Sequence, residues 1–244
     1  MTSPSLPEPD LLRQQAEWLA PARGRLFRRV HIARRTQVLD LGAGYGAVTP
    51  ELVRRSSGQV VALDCDVDAM RVVAAEVPEA GAVGGDVIRL PFRAGTFDLV
   101  FAQLAFLWIA PLDAALNEVV RVLAPGGALV ALEPAYGGMI EHPSEVAAQR
   151  IWEAALDRAG ADPRIARKLP GRLASRGLDV RVMLFSALFA ADPARFDLLR
   201  GLPLTGEERA ALDRIEEAAM VRRQPWGQIA HLPFFLIVAE KPRG

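Results

Sequence analysis

Val38-Leu39-Asp40-Leu41-Gly42-Ala43-Gly44-Tyr45-Gly46 decides how the rest of this chain is read. A short apolar run ends in three glycines spread over five residues, and a helical pattern follows to about Ser56. Glycine admits positive φ and lets another group come close to the backbone. Three of them exceed what a tight strand-to-helix connection needs. In an open parallel sheet, ligands bind beyond the carboxyl ends of the strands. The segment is expected to cradle a ligand, against the plainer reading of a connection that holds nothing.

Outward from it, the pattern repeats. Gln37–Leu41 reads as a first strand and Val60–Leu63 as a second, ending at Asp64. Asp66 or Asp68 can start the next helix, which runs to Glu76. A short strand near Ala82–Val83 leads to Gly85-Asp86, and Phe97–Ala102 is a fourth strand. Pro111 suits the first position of a helix to about Leu123. A Pro125-Gly126-Gly127 turn and a fifth strand, Ala128–Leu132, follow. Near-continuous apolar strands alternating with helices predict βαβ units in a buried parallel sheet.

On either side of this core the alternation fails. Residues 1–9 are Pro-rich and read as a tail. Asp10 can cap a helix to about Ala20, Pro21 interrupts, and a second helical stretch reaches about Arg35. After Glu133 come a loop and helices near 144–159, 163–175, 193–200 and 206–223. Asp162-Pro163 suits an N-cap and first helical position, and Thr205 with Glu208 spells a capping box. Strands are expected at Val180–Phe189 and Leu232–Ala239. The 244 residues form one domain: a core over 36–134 with helical additions over 1–35 and 138–231.

Composition narrows the function. Lys and Arg total 29, and so do Asp and Glu, so the formal net charge is zero. Nucleic-acid binding draws on a positive excess, so this balance argues against it. Cys65 is the single cysteine, which excludes an intramolecular disulfide and a cysteine-built zinc site. The longest apolar stretch, Phe97 to Leu112, contains Asp98 and Gln103 and is too short to span a bilayer. A cytoplasmic protein without membrane contact is expected, as a monomer or homodimer.

Two ligands compete for the glycine turn. Gly42-x-Gly44-x-x-Ala47 meets a loose dinucleotide fingerprint, with Asp64 as the ribose acid. Asp40 opposes that reading, because a carboxylate two residues before the first glycine would face a pyrophosphate with like charge. S-adenosylmethionine carries no phosphate, and its sulfonium and ammonium both suit a nearby carboxylate.

On these residues the chain resembles the class I S-adenosylmethionine-dependent methyltransferases, in the small-molecule branch that includes the ubiquinone/menaquinone methyltransferases. Three further segments agree in order and spacing. They are Val60-Val61-Ala62-Leu63-Asp64-Cys65-Asp66, then Gly85-Asp86-Val87 leading through Leu90-Pro91-Phe92 into Gly95-Thr96-Phe97-Asp98-Leu99-Val100, and Arg121-Val122-Leu123-Ala124-Pro125-Gly126-Gly127. The likeness spans about residues 36–134, and 178–240 by topology. It implies an α/β fold: a Rossmann-like, doubly wound, mostly parallel seven-stranded sheet with an antiparallel last strand. The added helices would form a lid.

The resemblance also implies roles. Asp64 would accept both ribose hydroxyls, unless it merely caps the next helix. Asp86 would accept the adenine amino group and the Val87 amide would read a ring nitrogen; a turn aspartate is the alternative. Cys65 would pack on the adenine face. Asp40 and the backbone of Gly42, Ala43, Gly44 and Gly46 would hold the methionine end. Gln103 would face that end or the acceptor, or be a polar strand terminus. Trp18, Trp108, Tyr136 and Trp226 could line an acceptor pocket, or serve as core and rim packing.

Methyl transfer needs alignment and exclusion of water, and a base only where the nucleophile must shed a proton. His142, in the loop after the fifth strand, is the one candidate base, against the reading of a surface histidine. The stretch Arg23-Gly24-Arg25-Leu26-Phe27-Arg28-Arg29 could bind an anion, as could Arg164, Arg167 and Lys168; a solvated helix face is the plainer reading of each. No residue spacing suggests a metal site or a hydrolase triad. Two other functions stay open: an NAD(P)-dependent oxidoreductase, and a non-catalytic binding or regulatory protein built on the cofactor fold.

Overall fold

The computed structural model describes residues 8–185, 188, 190–222, 224 and 226–243. The chain opens with α1 (Pro9–Trp18) and α2 (Ala20–Arg29), which abut with one residue between them. Pro21 sits in the first turn of α2, where its missing N–H costs nothing, so it starts a helix instead of breaking one. The core follows as β1 (Gln37–Leu41), α3 (Thr49–Arg55), β2 (Gln59–Asp64), α4 (Val67–Glu76), β3 (Gly81–Gly84), β4 (Phe97–Gln103), α5 (Leu112–Val122) and β5 (Leu123–Pro134). The remainder is β6 (Ile140–His142), α6 (Gln149–Arg158), α7 (Ile165–Ala174), β7 (Asp179–Phe185), α8 (Ala194–Arg200), α9 (Gly206–Val221), β8 (Ile229–His231) and β9 (Phe234–Glu240).

The strands form a seven-stranded sheet in the order β3-β2-β1-β4-β5-β9-β7. β1 to β5 are parallel, and β9 runs antiparallel between β5 and β7. The expected α/β sheet with its antiparallel last strand is therefore present. Alternate residues feed opposite faces, as the period of two requires. Leu39, Val100, Leu129 and Ala131 pack under α5, α6 and α7. Val38, Leu99, Phe101, Val130 and Leu132 pack under α1 to α4, with the Phe27 ring of α2 at 5.3 Å from Phe101.

Within the core, β5 starts at Leu123 and takes in the Pro125-Gly126-Gly127 read as a turn, and Pro111 is the N-cap of α5, not its first residue. Further differences lie outside it: α1 has Glu8 as its N-cap, with Asp10 in its first turn. β6 and β8 make a separate antiparallel ribbon, with Ile140 opposite His231 and His142 opposite Ile229. Strands of three residues leave no periodic signal. The helix expected over 144–159 is a 3-10 turn at Ser144–Val146 followed by α6. Asp162 serves the start of α7 from two residues before the N-cap Arg164, its Oδ1 accepting the Arg164 N–H at 3.0 Å, and Pro163 lies outside the helix. The sixth strand ends at Phe185; residues 186, 187 and 189 of the expected span, like 1–7 of the tail and 223 of the last helix, lie outside the described residues. The Thr205–Glu208 capping box is present at α9.

Candidate active site

The carboxyl ends of β1, β2, β4 and β5 share one edge of the sheet, and the glycine turn crosses it. Gly42, Gly44 and Gly46 have φ of 71°, 51° and 75°, the left-handed region. A Cβ on Gly42 would stand 2.7 Å from the Ala105 methyl. Leu63 O, at the end of β2, accepts the N–H groups of Gly42 (2.8 Å) and Ala43 (3.1 Å). The turn is thus pinned over the neighbouring strand, and the Gly46 N–H closes it on Ala43 O at 2.9 Å.

Asp64 closes β2. Its Oδ2 accepts the Gly44 N–H at 2.8 Å and its Oδ1 the Asp66 N–H at 3.0 Å. One amide per oxygen leaves each a further lone pair. Asp64 does not cap α4: Asp66 does, accepting from Asp68 and Ala69 at 2.9 and 3.0 Å. Cys65 beside it is exposed. Asp86 is exposed at the end of β3 and caps the 3-10 turn Val87–Arg89 through the Ile88 N–H, with Val87 half-buried.

Asp40 lies beneath the turn, 3% exposed. The Thr49 hydroxyl donates to its Oδ2 at 2.7 Å. Burial pushes its pKa up to about 6; the Thr49 bond and the Arg23 charge oppose the rise, and the Asp64 charge adds to it. Arg23 is a surprise. It leaves the arginine-rich stretch to be buried, pairing with Glu51 at 2.7 Å and donating to Ala16 O at 2.8 Å and Gln103 Oε1 at 3.0 Å. One guanidinium therefore ties α1, α2, α3 and the end of β4 together. Gln103, half-buried at the strand end, is held by that contact.

Glu133 is the buried acid at this edge that the sequence reading left out of the site. It is wholly buried near the end of β5. Its Oε1 accepts the N–H groups of Ala105 (3.1 Å) and Phe106 (2.9 Å), while Oε2 is inaccessible and has no partner. Burial drives its pKa up to about 8, against the pull of those amides. A signal was available: an acid directly after the apolar run Ala128–Leu132 has no reason to be there without a buried partner.

The aromatic candidates divide. Tyr136 is buried, its ring 5.3 Å from Trp152, and burial with the nearby Glu133 charge raises its hydroxyl pKa. Trp18 donates its indole N–H to Asp192 at 2.9 Å, joining α1 to the segment before α8. Trp108 and Trp226 are exposed. His142 is exposed on β6; His231, across the same ribbon, has its pKa lowered by burial. Arg167 reaches over Gly137 and Gly138 in the loop after β5, whereas Arg164 and Lys168 pair with Asp157 and Asp162. Among the described residues, no group of three or more His, Cys, Asp or Glu is placed to hold a metal ion, and no helix is long and apolar enough to cross a membrane.

Comparison with known proteins adds a family to this geometry. Residues 39–131 match the family model described as "Methyltransferase domain". The chain is similar to the malonyl-[acyl-carrier protein] O-methyltransferase of Methylococcus capsulatus, 38% identical over 97 residues that cover 38% of this chain and 35% of the relative. It is also similar to the demethylmenaquinone methyltransferase of Beutenbergia cavernae, 36% identical over 99 residues covering 40% of each. The chain spans less than half the length of these curated relatives. In fold it is similar to Haemonchus contortus phosphoethanolamine N-methyltransferase 2, solved with S-adenosyl-L-methionine: TM-score 0.59 at 16% identity, covering 91% of this chain and 53% of that one.

Proposed function

We propose that this chain, whose residues 39–131 match a methyltransferase-domain model, is a class I S-adenosylmethionine-dependent methyltransferase that methylates O, N or C of a small organic acceptor and releases S-adenosylhomocysteine. The observation that carries this reading is the Asp64 carboxylate, seated at the end of β2 against the Gly44 amide with a lone pair to spare on each oxygen. That is the donor-accepting geometry a ribose diol needs. The three left-handed glycines let the turn fold back tightly at the strand ends, and Asp40 beneath them suits a cationic ligand better than a phosphate.

S-adenosylmethionine, when bound, supplies a methyl group already activated by its sulfonium. The protein's task is to align and to exclude water. Asp64 holds the ribose, Asp86 and the Val87 amide read the adenine, and Cys65 packs on its face. Gly42, Ala43, Gly44 and Gly46 seat the methionine end, Asp40 supplies negative potential beneath it, and Gln103 orients it from the end of β4. Trp18, Trp108, Tyr136 and Trp226 are assigned to the acceptor side, and His142 is the candidate base. α2 packs on β9, and α7 on β5, β7 and β9, so both cover the sheet, and β7 is one of its strands. The lid is therefore drawn from what remains of 1–35 and 138–231, with the Trp18–Asp192 bond joining α1 to the segment before α8. The protein is placed in the cytoplasm as a monomer or homodimer, without a nucleic-acid partner.

Calorimetric titration of S-adenosylhomocysteine into wild type and Asp64→Ala tests the reading. Losing two hydrogen bonds to a charged group is expected to cost about 1.5–3 kcal/mol, roughly tenfold to a hundredfold in affinity. Equal affinity in the two proteins, or no binding by wild type, overturns it.

A further inference from the structure

After Gln103 the chain leaves β4 at Leu104, whose φ of 57° swings the backbone across the end of β5. Leu104 still donates to Leu132 O at 3.0 Å, as a strand neighbour would. The next two amides have no strand left to pair with, and Glu133 Oε1 takes both. This corner bears directly on the glycine turn: the Ala105 methyl occupies the space that a Cβ on Gly42 would need. The corner also begins at Gln103, which Arg23 holds from α2. A shift of Ala105 therefore releases the turn on one side and Gln103 on the other.

We propose that Glu133 is a positioning residue: its buried carboxyl clamps the Ala105 and Phe106 amides, and so sets the seat of the cofactor without touching it. The inference rests on the reading of the glycine turn as that seat. A carboxylate with one oxygen buried and unpartnered is an uncompensated charge, so the clamp works in its protonated form. The Tyr136 phenol, also buried, has its pKa pushed further up by the Glu133 charge and offers no counter-charge, and among the described residues no charged side chain is among the groups that act on Glu133. Ionisation drives the corner open to water and loosens the turn.

Two windows follow from the shift. The unfolded carboxyl ionises near its ordinary 4.5 and the folded one near about 8. Between these values the unfolded state loses a proton that the folded state keeps, so stability falls as pH rises and levels off above about 8. Cofactor affinity behaves differently: it holds until the folded carboxyl ionises and falls above about pH 8.

The test is calorimetric S-adenosylhomocysteine affinity for wild type, Glu133→Gln and Glu133→Ala from about pH 6.5 to about pH 9.5, with thermal unfolding of each ligand-free protein over a range extended down to about pH 4.5. Near pH 7, Glu133→Ala should bind about tenfold more weakly. Glu133→Gln should stay within about threefold of wild type, because an amide oxygen accepts the same two N–H groups. Wild-type affinity should fall above about pH 8 while the Gln variant stays flat. Equal affinities for wild type and Ala, or parallel pH profiles for wild type and Gln, overturn the proposal. If Glu133→Ala does not fold, the comparison with Gln still decides. Failure of wild type to bind at all at any pH sinks the cofactor reading instead, and the clamp is then judged on the ligand-free unfolding curves, where wild type must lose midpoint relative to Gln between about pH 4.5 and about pH 8.

Discussion

The two halves of the sheet's ligand edge are built on different principles. On the β1–β2 side, contacts join residues close in sequence: Thr49 to Asp40 at a separation of 9 and Gly44 to Asp64 at 20. The parts are one strand–turn–helix and the strand that follows. On the β4–β5 side, solitary side chains reach far along the chain: Glu133 to Ala105 at 28, Arg23 to Gln103 at 80 and Trp18 to Asp192 at 174. The first half forms its shape locally. The second is assembled only when the fold closes, so its stability rests on a few buried polar contacts.

Removing Arg23 strikes the assembled half hardest. Arg23→Met keeps much of the apolar stem but strips the donors from Ala16 O, Gln103 and Glu51. Breaking a buried pair from one side costs about 3–5 kcal/mol. Glu51 keeps Arg55 at 3.1 Å, which moderates the loss. About 3 kcal/mol is expected, read as a fall of roughly 6–12 °C in thermal midpoint for a chain of this size. A drop of only a degree or two would show that α1 and α2 are held by Phe27 and its apolar neighbours, and the contrast between the halves would weaken.

The second prediction concerns the place where the halves touch. Gly42→Ala meets two penalties: a left-handed φ of 71°, and a methyl 2.7 Å from that of Ala105. The first is worth about 1–2 kcal/mol, and the contact adds to it, for a total near 2 kcal/mol and about tenfold weaker S-adenosylhomocysteine binding. Ala105→Gly in the same protein removes the clash and leaves the φ penalty. The double variant should recover part of the loss, a coupling of about 0.5–1 kcal/mol. Strict additivity would mean that the corner and the turn do not bear on each other.

This division explains what could be read from residues alone. β1 to β5 were legible because each is an apolar run punctuated by Gly, Pro or Asp. The seat of the ligand was legible because three positive-φ positions must be spelled with glycine. The start of α4 was narrowed to Asp66 or Asp68, and the structure selects Asp66, whose side chain accepts two first-turn amides. Arg23 was not legible: nothing in Arg23-Gly24-Arg25-Leu26-Phe27-Arg28-Arg29 marks which arginine turns inward, since its partners Glu51 and Gln103 lie on other elements. Glu133 stood in plain view at the end of a buried strand, yet its meaning lay in two amides that only the parallel pairing of β4 and β5 brings within reach. The ribbon of β6 and β8 is set by pairing across most of the added helices, which no local period records.

The smallest effect belongs to the local half and carries a pH signature. Thr49→Val is close to isosteric at a position with no exposure, so the loss is the hydroxyl alone. Asp40 Oδ2 then has no donor. While Asp40 is protonated this costs about 0.5–1 kcal/mol, and once it is ionised about 1.5 kcal/mol, the lower end for a bond to a charged group. The wild-type carboxyl is already raised from 3.8 to about 6 by burial, and the Thr49 bond, ahead of the Arg23 charge, holds it from rising further. A folded pKa above the unfolded one means that the folded state keeps its proton longer, so stability is lost as pH climbs from 3.8 through about 6. The variant should extend that loss beyond pH 6, so its deficit against wild type grows between about pH 5 and about pH 8. A deficit constant across that range would mean that Asp40 does not change charge there. Its negative potential under the glycine turn would then be present even in mild acid.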